Sequence, residues 1–139
     1  MGLAAVYLFL AALHVFWAAG GTWGGVSAIP EVSGRKAFTP GPGITLAVAG
    51  ALVLAACVVL GVSGLAFPFV PAKLFRFAAF VLGGVFLLRA VGDFRLVGFF
   101  KSVRGTAFAT NDTWIYSPLC LALAAGVLWL ATRPGSDIR

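Results

Sequence analysis

The sequence predicts an all-α fold, a four-helix transmembrane bundle with a long first loop and a short interfacial amphipathic helix between spans three and four. Three observations predict it. Four long apolar stretches, roughly 3–19, 44–65, 74–91 and 113–132, fill most of the 139 residues. The charged residues lie almost entirely between or beside them. A hydrocarbon layer about 30 Å thick takes about 20 apolar helical residues to cross, close to the length of each stretch. Four crossings and their connections use up the chain, so residues 1–139 are expected to form a single four-span membrane domain with no soluble one.

The composition narrows the function classes. A hydrophobic fraction of 61% excludes disorder. A net charge of +6 would suggest nucleic acid in a soluble protein. Beside membrane spans, Lys and Arg act instead as orientation signals and as partners of anionic headgroups. Membrane lipids are therefore the expected partners, and nucleic acid is not. Cys57 falls deep in the second span and Cys120 near the start of the fourth, at depths that differ by roughly 10 Å at 1.5 Å per residue. A disulfide needs Cα atoms within about 7 Å, so both are read as free, buried thiols.

The first span has no basic leader and no small-x-small cleavage site, so a retained anchor is expected and not a signal peptide. Tyr7 and His14 are seven apart and share one face with Ala11 and Ala18, a face suited to other helices. The first connection, about residues 20–43, is long for a bundle. It carries Pro30, Pro40 and Pro42, the interfacial aromatics Trp23 and Phe38, and the charges Glu31, Arg35 and Lys36. Loops of that length are often functional; a floppy link is the plainer alternative.

The second span has Ala47, Ala51 and Ala55 at four-residue spacing. Ala79 with Gly83, and Ala122 with Gly126, repeat the pattern later. Such spacing lets helices approach closely and predicts packing, not chemistry. The second connection, near residues 64–73, is short, holds Pro68 and Pro71, and joins antiparallel neighbours. The third span closes with Arg89, Gly92, Asp93 and Arg95. Beyond it, Leu96, Phe99, Phe100 and Val103 cluster on a helical wheel while Arg95, Lys101, Ser102 and Arg104 face elsewhere, which predicts the surface helix. Counting about 20 residues back from the end of the fourth span puts its start at Asp112 or Thr113. Asp112 is then the N-cap, and a bend is expected near Pro118. Arg133, Pro134 and Gly135 end the span.

Alternating crossings gather His14, Trp17, Trp23, Glu31, Arg89, Asp93, Arg95, Asp112 and Tyr116 on one membrane face. The other face holds Lys73, Arg76, Arg133, Asp137 and Arg139. Arg89 lies about one turn inside the boundary, where ionisable residues face a bundle interior or a wet cavity. Asp93 sits at the negative end of its helix dipole and needs a cationic or hydrogen-bonding partner. Arg89 is one turn back, and Arg95 and His14 are rival partners. A structural salt bridge is the plain reading of Arg89, a helix cap that of Asp112, and an interior hydrogen-bonded histidine that of His14. His14, Asp93, Asp112 and Glu31 match no metal spacing. No metal and no cofactor is expected, the single axial histidine of a haem being the remote alternative.

Three segments carry a resemblance. One is His14, Val15, Phe16, Trp17, Ala18, Ala19, Gly20 and Gly21, with Trp23, Gly24, Ala28, Ile29 and Pro30 behind it. The second is Arg89, Ala90, Val91, Gly92, Asp93, Phe94 and Arg95, with Gly98 after it. The third is Phe108 and Ala109, then Asp112, then Tyr116, Ser117, Pro118, Leu119 and Cys120. Over nearly its whole length the chain resembles the small four-span bacterial membrane proteins grouped as a domain of unknown function. The resemblance implies a four-helix membrane bundle and no particular activity.

Three functions compete. The first is a module that binds or moves a small amphiphile or an anionic headgroup, with His14, Trp17, Trp23, Arg89, Asp93, Asp112 and Tyr116 as ligand-binding residues. The second is an intramembrane enzyme working by acid–base chemistry on a lipid-like substrate, with His14, Asp93 and Asp112 as catalytic candidates. The third is an accessory subunit, self-associating as a homo-oligomer through its Ala and Gly faces. The expected location is the bacterial inner (plasma) membrane. An even number of spans puts both termini on one side. Arg35, Lys36, Arg95, Lys101 and Arg104 stand against Lys73, Arg76, Arg133 and Arg139, five against four, which does not set the orientation. The commoner arrangement, with termini in the cytoplasm, is adopted.

Overall fold

A computed structural model describes residues 1–25, 28–32 and 35–133. Pro134, Gly135, Asp137 and Arg139 lie outside the described residues. The chain runs α1 (Gly2–Ala18), a small hairpin of β1 (Glu31–Val32) and β2 (Arg35–Lys36), α2 (Pro42–Val62), α3 (Ala72–Val91), α4 (Ala107–Asn111), a π turn (Asp112–Tyr116) and α5 (Ser117–Thr132). The last three are continuous, one helix of 26 residues from Ala107 to Thr132. That helix, α2 and α3 are each long and apolar enough to cross a membrane; α1, of 17 residues, is apolar and shorter. The fold is the expected all-α bundle of four apolar helices, three of them long enough to cross a membrane, and two strands form its small sheet.

Each helix starts and stops for local reasons. Pro42 at the first position of α2 lacks the N–H that a helix start would leave unpaired. Gly92 ends α3 at φ 94° and ψ −171°, a conformation essentially reserved for glycine. Thr106 caps α4, its hydroxyl accepting from the Ala109 N–H at 3.0 Å. The fourth span therefore begins about a turn and a half before Asp112, and Asp112 is not its cap. A π turn lies immediately before Pro118, where the bend is expected, and closes with Ser117 N–H donating to the Asp112 carbonyl.

Tyr7, Ala11, Leu52, Ala55, Ala56, Val59, Ala79, Leu123, Val127 and Ala131 form one core cluster. Alanine is frequent there because, with no lipid–water difference to drive association, helices must meet closely to gain dispersion contact. Helix α1 packs chiefly on α2, and α3 on α5. Ala79 and Gly83 are buried as expected, and Gly83 sits against Leu128 where a Cβ would collide. Ala47 and Ala51 are exposed, and the packing face of α2 runs instead through Ala49, Leu52, Ala55, Ala56 and Val59. The reason is phase: a strict four-residue step drifts round a helix of 3.6 residues per turn, so Ala55 faces inward and its two predecessors do not. Cys57 and Cys120 are free thiols, half-buried.

The segment expected to be an interfacial helix is not helical. Residues 92–106 fold as a compact loop beneath the end of α3. Phe99 N–H donates to the Ala90 carbonyl at 2.8 Å and Val103 N–H to the Arg95 carbonyl at 2.9 Å. Gly92, Phe94, Gly98 and Gly105 all take left-handed φ values, between 61° and 94°, which no helix accommodates. The Asp93 carboxylate collects the N–H groups of Arg95, Leu96 and Val97. An N-cap would do the same, but the turn it starts stops at Gly98.

Candidate functional site

One carboxylate organises the loop-side end of the bundle. Asp112 is completely buried. Its Oδ1 accepts from Arg89 Nη2 at 2.8 Å. Its Oδ2 accepts from Gly98 N–H at 2.7 Å and from Lys101 Nζ at 3.1 Å. The π turn makes this placement. Five residues subtend about 140° of excess rotation in an α-helix, whereas the wider turn brings Asp112 and Ser117 onto the same inner face, where both are fully buried. Arg89 comes from the last turn of α3, and Lys101 and Gly98 from the folded loop.

Lys101 is the residue that sequence reasoning missed. The amphipathic wheel turns it to water, yet it is 2% exposed. Its ammonium donates to the Gly98 carbonyl at 2.9 Å, to Asp112 and to Thr113 Oγ1 at 2.6 Å. Three donors meet three acceptors, so the lysine is fully satisfied. The available signal was Asp112 itself, an acid at the start of an apolar span, which must find a cation when buried.

Two cations thus share one carboxylate, and the surplus positive charge falls on Arg89. Its side chain is 33% exposed. Its Nη1 is buried without a hydrogen-bond partner among the described residues. Arg89 lines a cavity of about 610 Å³ with His14, Trp17, Lys36, Phe38, Ile44, Thr45, Val48, Val97 and Phe108. Most of these walls are apolar. His14, Lys36 and Arg89 are the charged or ionisable residues among them, and no Asp or Glu is present. The α2 N-terminus also faces the cavity through Ile44 and Thr45, with no acidic residue in its first turn. A helix N-terminus adds positive potential.

The remaining candidates are placed as follows. His14 Nδ1 lies 2.8 Å from the Leu10 carbonyl, and its ring stands edge-on to Trp17 at 5.0 Å. Trp17 Nε1 donates to the Trp23 carbonyl at 2.8 Å, tying loop one back to α1. The Trp23 ring itself is exposed, outside the cavity wall. Tyr116 packs its ring near Phe108 at 6.0 Å and is not a wall residue. Asp93 does not pair with Arg89. It serves its own loop, because three backbone N–H groups lie within 3.0 Å of Oδ1 while the Arg89 guanidinium turns inward to Asp112. The structure therefore joins Arg89 to Asp112 and brings Arg89 to the same cavity as His14 and Trp17. Asp93, Trp23 and Tyr116 stand apart from it.

The Val97 N–H, followed by those of Arg95 and Leu96, holds the Asp93 carboxyl below the usual carboxylate range. A depressed native value means that the native state gains stability above the unfolded value of about 3.9 and loses it as pH falls through the native one. Loop protection from hydrogen exchange at Leu96 and Val97 is expected to decline on acidification below that range. In Asp93→Asn it should be low at every pH and show no such decline.

Fold and site together define a small α-helical membrane protein with a carboxylate-anchored, cationic cavity at one end of its bundle. The chain belongs to the family described as a protein of unknown function, DUF3995, whose model matches residues 7–127. No curated protein and no solved structure matches it.

Proposed function

We propose that this protein binds a small amphiphile with an anionic headgroup in the loop-side cavity, at the surface of the bacterial cell membrane with both termini in the cytoplasm. The observation that carries the reading is Arg89, whose Nη1 is buried and, among the described residues, without a hydrogen-bond partner or an acidic neighbour in the cavity wall. Asp112 fixes the guanidinium through Nη2 without neutralising it, because Lys101 already shares that carboxylate. Lys36 and the start of α2 add positive potential. Trp17, Phe38, Ile44, Val48 and Phe108 offer the apolar surface a tail requires. Volumes of about 300–1,000 Å³ are usual for small-molecule sites. Loop one forms the outer wall. An acid–base enzyme has less support, because both oxygens of Asp112 are engaged by donors and Asp93 is committed to backbone N–H groups.

Native mass spectrometry of mildly extracted protein tests this. The wild-type chain should carry an acidic amphiphile. Lys36→Ala, outside the buried cluster, should weaken retention about tenfold, a change of 1.4 kcal/mol. Arg89→Ala should abolish it. A wild-type chain that retains none, or equal loading of all three proteins, would overturn the reading.

A further inference from the structure

The loop-side cavity has a definite charge. Arg89 and Lys101 share the single Asp112 carboxylate, so one of their two positive charges stays uncompensated. Lys36, in β2, brings another to the cavity wall. No acidic residue lines the cavity among those described. The site therefore carries two net positive charges, even with His14 neutral. The hydroxyls of Thr22 and Thr39 add uncharged donors to the wall. The apolar flank leads sideways. Ile44 and Val48 stand one turn apart on α2 and line the cavity, yet they are 66% and 41% exposed. On a helix that crosses a membrane, such exposure is to lipid. A ligand seated here can keep a chain in the bilayer while its polar end lies inside the cavity.

Resting on the reading of this cavity as an amphiphile site, we propose that its ligand is a lipid-borne phosphate monoester, with the phosphate facing Arg89 and Lys36 and the chain leaving over Ile44 and Val48. Charge selects the headgroup. A phosphate monoester carries about −1.5 to −2 charges at neutral pH and three strong acceptor oxygens, so it compensates both cations. A carboxylate, a sulfate or a phosphate diester carries one charge and leaves the other cation without a partner beside apolar walls, where an unpaired charge is costly. A zwitterionic headgroup is no better served, because its ammonium meets no acidic residue in the wall. The two cations suit phosphate in different ways. A guanidinium matches its oxygens with a planar fork, and an ammonium adds a point charge.

Isothermal titration of the full chain in a nonionic detergent at pH 8 tests this, with dodecyl phosphate and methyl dodecyl phosphate as probes of equal chain length. At that pH the monoester carries two charges, its second pKa being about 6, and the diester carries one. The monoester should bind about tenfold more tightly or better. Lys36→Ala, on the exposed hairpin, should bring the two affinities together. Inorganic phosphate has the charge without the chain and should bind about tenfold more weakly than dodecyl phosphate, or worse. Equal affinities for the two dodecyl probes in the wild-type chain would overturn the phosphate assignment and leave the amphiphile reading standing. So would a preference that persists unchanged in Lys36→Ala. Inorganic phosphate binding as tightly as dodecyl phosphate would overturn the lipid source. Binding of neither dodecyl probe would overturn the proposal and the amphiphile reading together.

Discussion

Asp112→Ala is expected to destabilise the protein by about 3–5 kcal/mol, the usual consequence of removing one partner from a buried ion pair. The loss is large because two cations depend on one carboxylate. Without it Lys101, 2% exposed, keeps its bonds to Gly98 and Thr113 but has no counter-charge. Arg89 loses its anchor as well, and the Gly98 N–H its acceptor. Asp112→Asn should be nearly as damaging, since it keeps the shape and removes the charge. Lys101→Met should cost less, because Asp112 retains Arg89 and Gly98. The double variant Asp112→Asn with Lys101→Met should recover part of the loss, the non-additivity that marks a direct interaction. Thermal melts of the wild type and the four variants in one detergent supply the check. Equal melting temperatures for wild type and Asp112→Ala would mean that the cluster does not hold the loop.

The second large effect falls on two glycines. Gly92 and Gly98 adopt φ values of 94° and 87°, and each lies against backbone of the other's strand of the loop. A methyl group at Gly92 would overlap the Val97 carbonyl, and one at Gly98 the Val91 carbonyl. Neither neighbour can swing aside, because both are main chain. Gly92→Ala and Gly98→Ala are each expected to cost about 3 kcal/mol or more, combining left-handed strain with overlap. Gly105 supplies the control. Its φ is 81° but nothing lies within 4 Å of the added carbon, so Gly105→Ala should cost only about 1–2 kcal/mol. If the three variants melt together, close packing of this loop is not what sets its shape.

Much of this was legible in the sequence. Uninterrupted apolar runs fixed the four helices, because only closed backbone hydrogen bonding survives in hydrocarbon. The depth of Arg89 pointed to the bundle interior for the same reason. The loop after α3 was misread because a hydrophobic wheel presupposes a helix. Once Gly92 and Gly98 go left-handed, the residues grouped by that wheel no longer share a face, and Lys101 turns inward. Asp112 was read as a cap from length arithmetic, yet Phe108 and Ala109 before it are both buried, and Thr106 supplies the real cap. Nothing in residue type announces a π turn. Tyr116 and Trp23 were grouped with the site by level alone, which places a residue at the right height without giving its azimuth.

The π turn has a mechanical consequence. It works like a shim in a shaft, adding one residue and offsetting everything on its loop side in phase from α5 below. The inward aim of Asp112 is therefore stored in five residues, Asp112–Tyr116. A slip of that register back to α geometry would swing the carboxylate round the axis and release Lys101 and Arg89 together.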